Sequence, residues 1–252
     1  MRALLIRGML TGLAAAAAGL LIAWIYGEPQ VGKAIAFEEA QAAAAHAHDG
    51  HGAAGAEEEV VSRTVQRTGG LITAMAFYGV AIGGLFSIAF ALAYGRIGAL
   101  GARATAALVA LGGFTAIVLV PFLKYPPTPP AVGAPETIGS RTALYFGMVA
   151  LGVLATAAAV IVFTRLAPRL GGWNAAAATA AGFAIVVAAV FRLTPAPDAV
   201  ADSFPGTVLW DFRIASLGVQ VVLWATLGLL FGALTERSHR REAAPRKEPL
   251  AA

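Results

Sequence analysis

Repeated apolar runs, each about as long as a bilayer core is thick, constrain this chain more than any motif it carries. Six of them cover residues 4–26, 70–94, 105–123, 142–164, 174–191 and 214–234. A helix rises about 1.5 Å per residue, so roughly 20 apolar residues cross a hydrocarbon core of about 30 Å. Charge supports the reading. Only 13% of the chain is charged, against about 25% in a soluble domain. The expectation is an all-α polytopic membrane protein: a bundle of about six transmembrane helices forming one membrane-embedded domain over residues 1–236. The first run follows Arg2 and Arg7, as a secretory signal would. Its apolar length of about 23 residues exceeds the 7–15 of a signal core, so it reads as an uncleaved span. Cleavage or a miscount there would leave five.

The segments between the runs differ in kind. Residues 27–68 form a long polar connection, in which Glu59, Arg63 and Arg67 recur at the spacing of a short exposed helix. The third run stops at Lys124-Tyr125-Pro126-Pro127-Thr128-Pro129-Pro130, where proline density ends a helix and favours extended backbone. Residues 237–252 form a basic tail, expected to be disordered and cytoplasmic. With the N-terminus inside, Arg2, Arg7, Arg96, Arg103, Arg165, Arg169 and five tail residues lie inside, 11 of 18 basic residues. That bias sets the orientation, with both termini cytoplasmic and the 27–68 connection exterior. Eleven of the 14 acidic residues then also lie outside.

Three of the four histidines sit in that exterior connection, in His46-Ala47-His48-Asp49-Gly50-His51. Imidazole suits divalent Co, Ni, Cu and Zn, and carboxylates add hard oxygen donors. His46, His48, His51 and Asp49, with Glu38 and Glu39 upstream, are the candidate metal ligands. Their spacing around Gly50 suits a flexible turn that captures and releases. The competing reading is a solvated linker, because alanine and glycine dominate both flanks. The spacing alone leaves both open. A second group, Lys124, Tyr125, Arg141, Asp211, Arg213 and Gln220, marks a candidate gate or interface near the proline segment and the start of the last run.

Other chemistries find no support. The chain has no cysteine, which removes disulfides and thiolate metal sites. It carries no G-x-x-x-x-G-K-[ST], H-E-x-x-H or G-x-S-x-G motif, and no enzyme is expected. No histidine lies inside a run, which disfavours haem on facing helices. The basic residues sit at run ends and in the tail, so nucleic acid is not an expected partner. No Asp or Glu falls near the middle of a run, where coupled carriers place one. Gly8-x-x-x-Gly12, Gly79-x-x-x-Gly83 and Gly228-x-x-x-Gly232 read as close helix packing.

Several stretches are similar to the CbtA family of proposed cobalt transporter subunits. They are the basic first helix, the His/Glu connection and Phe122-Leu123-Lys124-Tyr125-Pro126-Pro127-x-Pro129-Pro130-Ala131-Val132-Gly133. Thr137-Ile138-Gly139-x-Arg141-Thr142-x-Leu144-Tyr145 and Phe204-Pro205 with Leu209-Trp210-x-Phe212-Arg213-x-x-Ser216-Leu217 add to them. The resemblance implies uptake of Co2+ as a transported ion across a bacterial inner membrane, with Ni2+ as a chemical neighbour and no tightly bound cofactor. It also implies a small one-span, His-rich CbtB-like partner. The expected role is a permease subunit whose exterior His/carboxylate connection captures the ion. The alternative is a non-transporting membrane scaffold that docks a partner subunit.

Overall fold

A computed structural model describes residues 1–49, 62–130, 132–133, 135–197 and 199–243. Every regular element among them is helical. The first rod is α1 (Arg2–Ile22), a π-turn (Ala23–Gly27) and α2 (Glu28–Asp49). The chain resumes with α3 (Arg63–Val65), a second π-turn (Gln66–Gly70) and α4 (Leu71–Ala93). Next come α5 (Ala102–Phe114), a third π-turn (Thr115–Leu119) and α6 (Val120–Lys124). A 3-10 turn (Pro135–Thr137) leads into α7 (Ile138–Leu193), and α8 (Gly206–Ala243) follows.

Two of the three π-turns among the described residues end two residues before a proline, Pro29 and Pro121. Proline brings no N–H and pushes on the carbonyl four residues back. A wider turn just upstream lets the rod continue instead of ending. So the chain that was expected to become a polar connection at residue 27 stays helical through Asp49. The tail behaves likewise, with α8 remaining helical through Arg237–Arg241 to Ala243.

Among the described residues, five helices are long and apolar enough to cross a membrane. The longest, α7, has 56 residues and would reach about 84 Å if straight, far beyond one bilayer. It is not straight. Gly171 takes φ 78 and ψ 158 three residues after Pro168, and the rod folds back there. Both ends of α7 meet the same short stretch. Arg141 near its start donates to the Val132 carbonyl, and Lys124 donates to the Phe191 carbonyl near its end. The α7 rod thus has two limbs, one on each side of Gly171.

Four elements build the main core: α1, α4, α5 and α8, around Phe86, Phe90, Leu223, Trp224, Leu227 and Phe231. Water-driven burial does not hold helices together in lipid, so close packing must. Along α1 and α4 the glycines interlock. A Cβ on Gly8 would strike the Gly83 carbonyl, and one on Gly12 would strike the Gly79 carbonyl. Gly228 and Gly232 do the same for α8 against Ala106, Ala110 and Arg103 of α5. Phe231 then fits edge-on to Phe86 and Phe90, with centroids 5.2 and 5.0 Å away. The α7 limbs pack on the third π-turn, where a Cβ on Gly152 would strike the Ala116 carbonyl, and on α6 through a smaller cluster of Val120, Met148 and Val187. This protein is an all-α membrane bundle.

Candidate functional site

Three layers stack at one end of the bundle, the end from which α2 projects. The outermost is the α2 arm. Its Ala34–Phe37–Gln41 face leans on the turn before α8: Phe37 meets Phe204 edge-on at 5.2 Å, and Gln41 Nε2 donates to Ser203 Oγ at 3.1 Å. Arg63 pairs with Glu28 at 2.9 Å, and Trp24 Nε1 donates to the Arg67 carbonyl at 3.0 Å. These contacts tie the arm's base to the start of the α4 pass. Glu38 and Glu39 stay exposed. Positions 46, 48 and 49 belong to the last turns of α2, not to a turn. His51 and Glu59 lie outside the described residues. Among the described residues, no group of three or more His, Asp or Glu is placed to hold a metal ion.

The middle layer is a clasp built on the proline segment. Lys124 Nζ donates to the carbonyls of Phe191 (2.8 Å) and Thr194 (3.1 Å), and Tyr125 Oη donates to the Pro195 carbonyl at 2.9 Å. The same ammonium lies 5.8 Å from the Tyr125 ring centre. Arg213 Nε donates to the Pro127 carbonyl at 3.3 Å. Arg141 reaches the Val132 carbonyl at 3.4 Å, its guanidinium lying where a Cβ on Gly133 (φ 102) would go. Phe191, Thr194, Pro195, Pro127 and Val132 all accept here through main-chain carbonyls. Prolines make that possible, since they add carbonyls without adding N–H groups to compete for them. Lys124 and Tyr125 thus fasten α6 to the end of α7, and Arg213 fastens the segment to α8.

The innermost layer is a cavity of about 150 Å3 beneath the clasp, where α7 meets the four-helix core. Tyr78, Tyr145, Ser216 and Gln220 give it polar groups, and Tyr125 and Pro127 of the clasp also line it. Tyr78 Oη and Gln220 Oε1 are 3.3 Å apart. A larger groove between α5 and α8, lined by Leu111, Phe114, Val221 and Trp224, is almost wholly apolar and suits a lipid chain.

Of the six gate candidates, the structure brings Lys124, Tyr125, Arg141 and Arg213 into the clasp and Gln220 into the cavity below it. Asp211 joins none of these contacts and is exposed. Tyr78 was not among the sequence candidates, nor were Tyr145 and Ser216 as cavity residues. One signal was available: the chain has five tyrosines, and three of them converge on this cavity.

The opposite end is ionic. Glu236 binds Arg103 and also Arg240, the latter at 2.8 Å, while Arg7 donates to Thr235 Oγ1 at 3.0 Å. Tyr94 stacks on Phe90 and meets the ring of His239. These contacts fasten α1, α4, α5 and α8 together.

Helices of membrane-crossing length packed in one bundle define a multi-pass membrane protein. Residues 1–236 match the family described as "Probable cobalt transporter subunit (CbtA)", and the chain belongs to that family. Neither a curated protein nor a solved structure matches it.

Proposed function

We propose that this protein is the permease subunit for uptake of divalent cobalt across a bacterial inner membrane, with both termini cytoplasmic. Residues 1–236 form its membrane domain and the segment from 237 its cytoplasmic tail. The α2 arm and the residues after it stand outside, where His46, His48, His51 and Asp49, with Glu38 and Glu39, capture the ion.

The observation carrying this reading is the acidic, imidazole-bearing arm set at the clasp-and-cavity end of a chain in a cobalt transporter family. Negative charge there raises the local cation concentration, an effect that salt weakens. Membrane potential supplies a drive: a divalent ion moving inward through 100 mV gains about 4.6 kcal/mol. A small one-span, His-rich CbtB-like subunit is the partner that delivers or accepts the ion, and nickel competes with cobalt because its ligand preferences overlap. Deleting residues 46–51 should depress cobalt uptake most at limiting metal. Uptake unchanged at every concentration would remove the arm from the mechanism.

The exposed faces of the α7 limbs support a second reading, a non-transporting scaffold that docks a partner. Trp173 and Leu193 are both 85% exposed there. Purified protein that moves no metal in liposomes, with or without its partner, would favour the scaffold.

A further inference from the structure

We propose that Lys124 is a tethered cation that plugs a divalent-cation passage: its ammonium occupies a carbonyl site that an arriving ion must take, next to a partly polar cavity that the adjoining Tyr125 lines. The proposal rests on the reading of the chain as a cation permease subunit.

The carbonyls of Phe191, Thr194 and Pro195 converge at the end of α7 on residues 124 and 125. A helix C-terminus carries the negative end of its dipole, so this is a place where a cation is stabilised. Thr194 has already left the helix, with φ −90 and ψ 148, which frees these oxygens from intrahelical bonds. Neutral oxygens of this kind are hard donors, the type that hydrated divalent ions accept. Lys124 fills the site, and no carboxylate shares it among the described residues. A lysine ammonium is a compact point charge on a flexible stem, so it can be displaced and can swing aside.

The cavity beneath explains what the plug closes. About 150 Å3 has room for several waters, at roughly 10–15 Å3 of such space for each. Tyrosine and serine hydroxyls and the Gln220 amide offer those waters partners at membrane depth. Tyr125 belongs to both layers: its hydroxyl holds Pro195 while its ring walls the cavity. Pro127 does likewise through its bond from Arg213. Releasing the clasp and opening the cavity are therefore one movement. While Lys124 stays in place, its charge repels an incoming cation; once a divalent ion takes the carbonyls, that barrier goes with the ammonium.

The test uses the absence of cysteine from the chain, which makes Ser216→Cys the sole thiol. Full-length protein in proteoliposomes is treated with a water-soluble, membrane-impermeant methanethiosulfonate. Labelling of S216C should be slow, about ten-fold faster with Lys124→Met added, and slow again with Lys124→Arg, which keeps the charge and donors. Millimolar Co2+ should slow labelling in the Lys124→Met background. Leu154→Cys, on an exposed apolar face of α7, should stay unlabelled throughout. S216C rates that ignore Lys124→Met, rates equally raised by Lys124→Arg, or no protection by Co2+ would each overturn the plug. Cobalt uptake measured separately keeps the two readings apart. Uptake with an unresponsive thiol sinks the plug alone, and a responsive thiol without uptake sinks the permease assignment.

Discussion

Gly12 offers the sharpest test of how this bundle holds together. An added methyl would run into the Gly79 carbonyl and lie 2.8 Å from the Gly83 Cα, and both obstacles are backbone of α4. No side chain can rotate away, so Gly12→Ala must push α1 off α4 along the whole interlocked seam. Overpacking of this kind costs about 1–3 kcal/mol, and at 2–4 °C per kcal/mol for a chain of this size the melting point should fall by roughly 2–12 °C. Gly182→Ala is the matched control, since nothing lies within 4 Å of its added Cβ. Alanine is also the better helix former there, so stability should hold or rise slightly. Thermal unfolding of the detergent-solubilised variants, followed by tryptophan fluorescence, reads both. Equal melting points for Gly12→Ala and wild type would refute the claim that backbone proximity holds α1 to α4.

Other variants probe other joints. Gly171 sits at φ 78 and ψ 158, a region that is nearly glycine-only, so Gly171→Ala should cost about 1–3 kcal/mol; an unchanged melting point would mean α7 does not need that fold-back. Phe37→Ala removes the edge-on contact with Phe204, worth roughly 0.5–1.5 kcal/mol beyond its buried area. Hydrogen exchange should quicken along α2 while the bundle melts as before, and unaltered α2 protection would show that the arm is held by something else. The Glu28–Arg63 pair is partly exposed, so Glu28→Gln should shift stability by less than about 1 kcal/mol and lose even that in high salt.

The helical class and the membrane setting were legible because each depends on local quantities: apolar length and charge scarcity. The same is true of the glycine spacings, whose three pairs face α4, α1 and α5 as close-packing positions. Even the clasp was partly visible, since Lys124, Tyr125, Arg141 and Arg213 stood out as polar groups flanking a proline segment. Their partners were not visible. Phe191, Thr194, Pro195, Pro127 and Val132 contribute only carbonyl oxygens, and every residue type has one. The helical course of residues 28–49 was missed for a related reason. Polar residues and Pro29 argue for a break, but a π-turn upstream absorbs the missing N–H.

By itself the sequence determined that the chain is helical and which stretches are apolar enough to cross a membrane, because those properties are set by each segment's own composition. Only the tertiary structure decided that Tyr78, Tyr145, Ser216 and Gln220, drawn from three separate helices, share one cavity, and that an ammonium is seated on carbonyls about 70 residues away. Contacts between distant segments depend on how helices cross and fold back, and no local pattern of residues records that geometry.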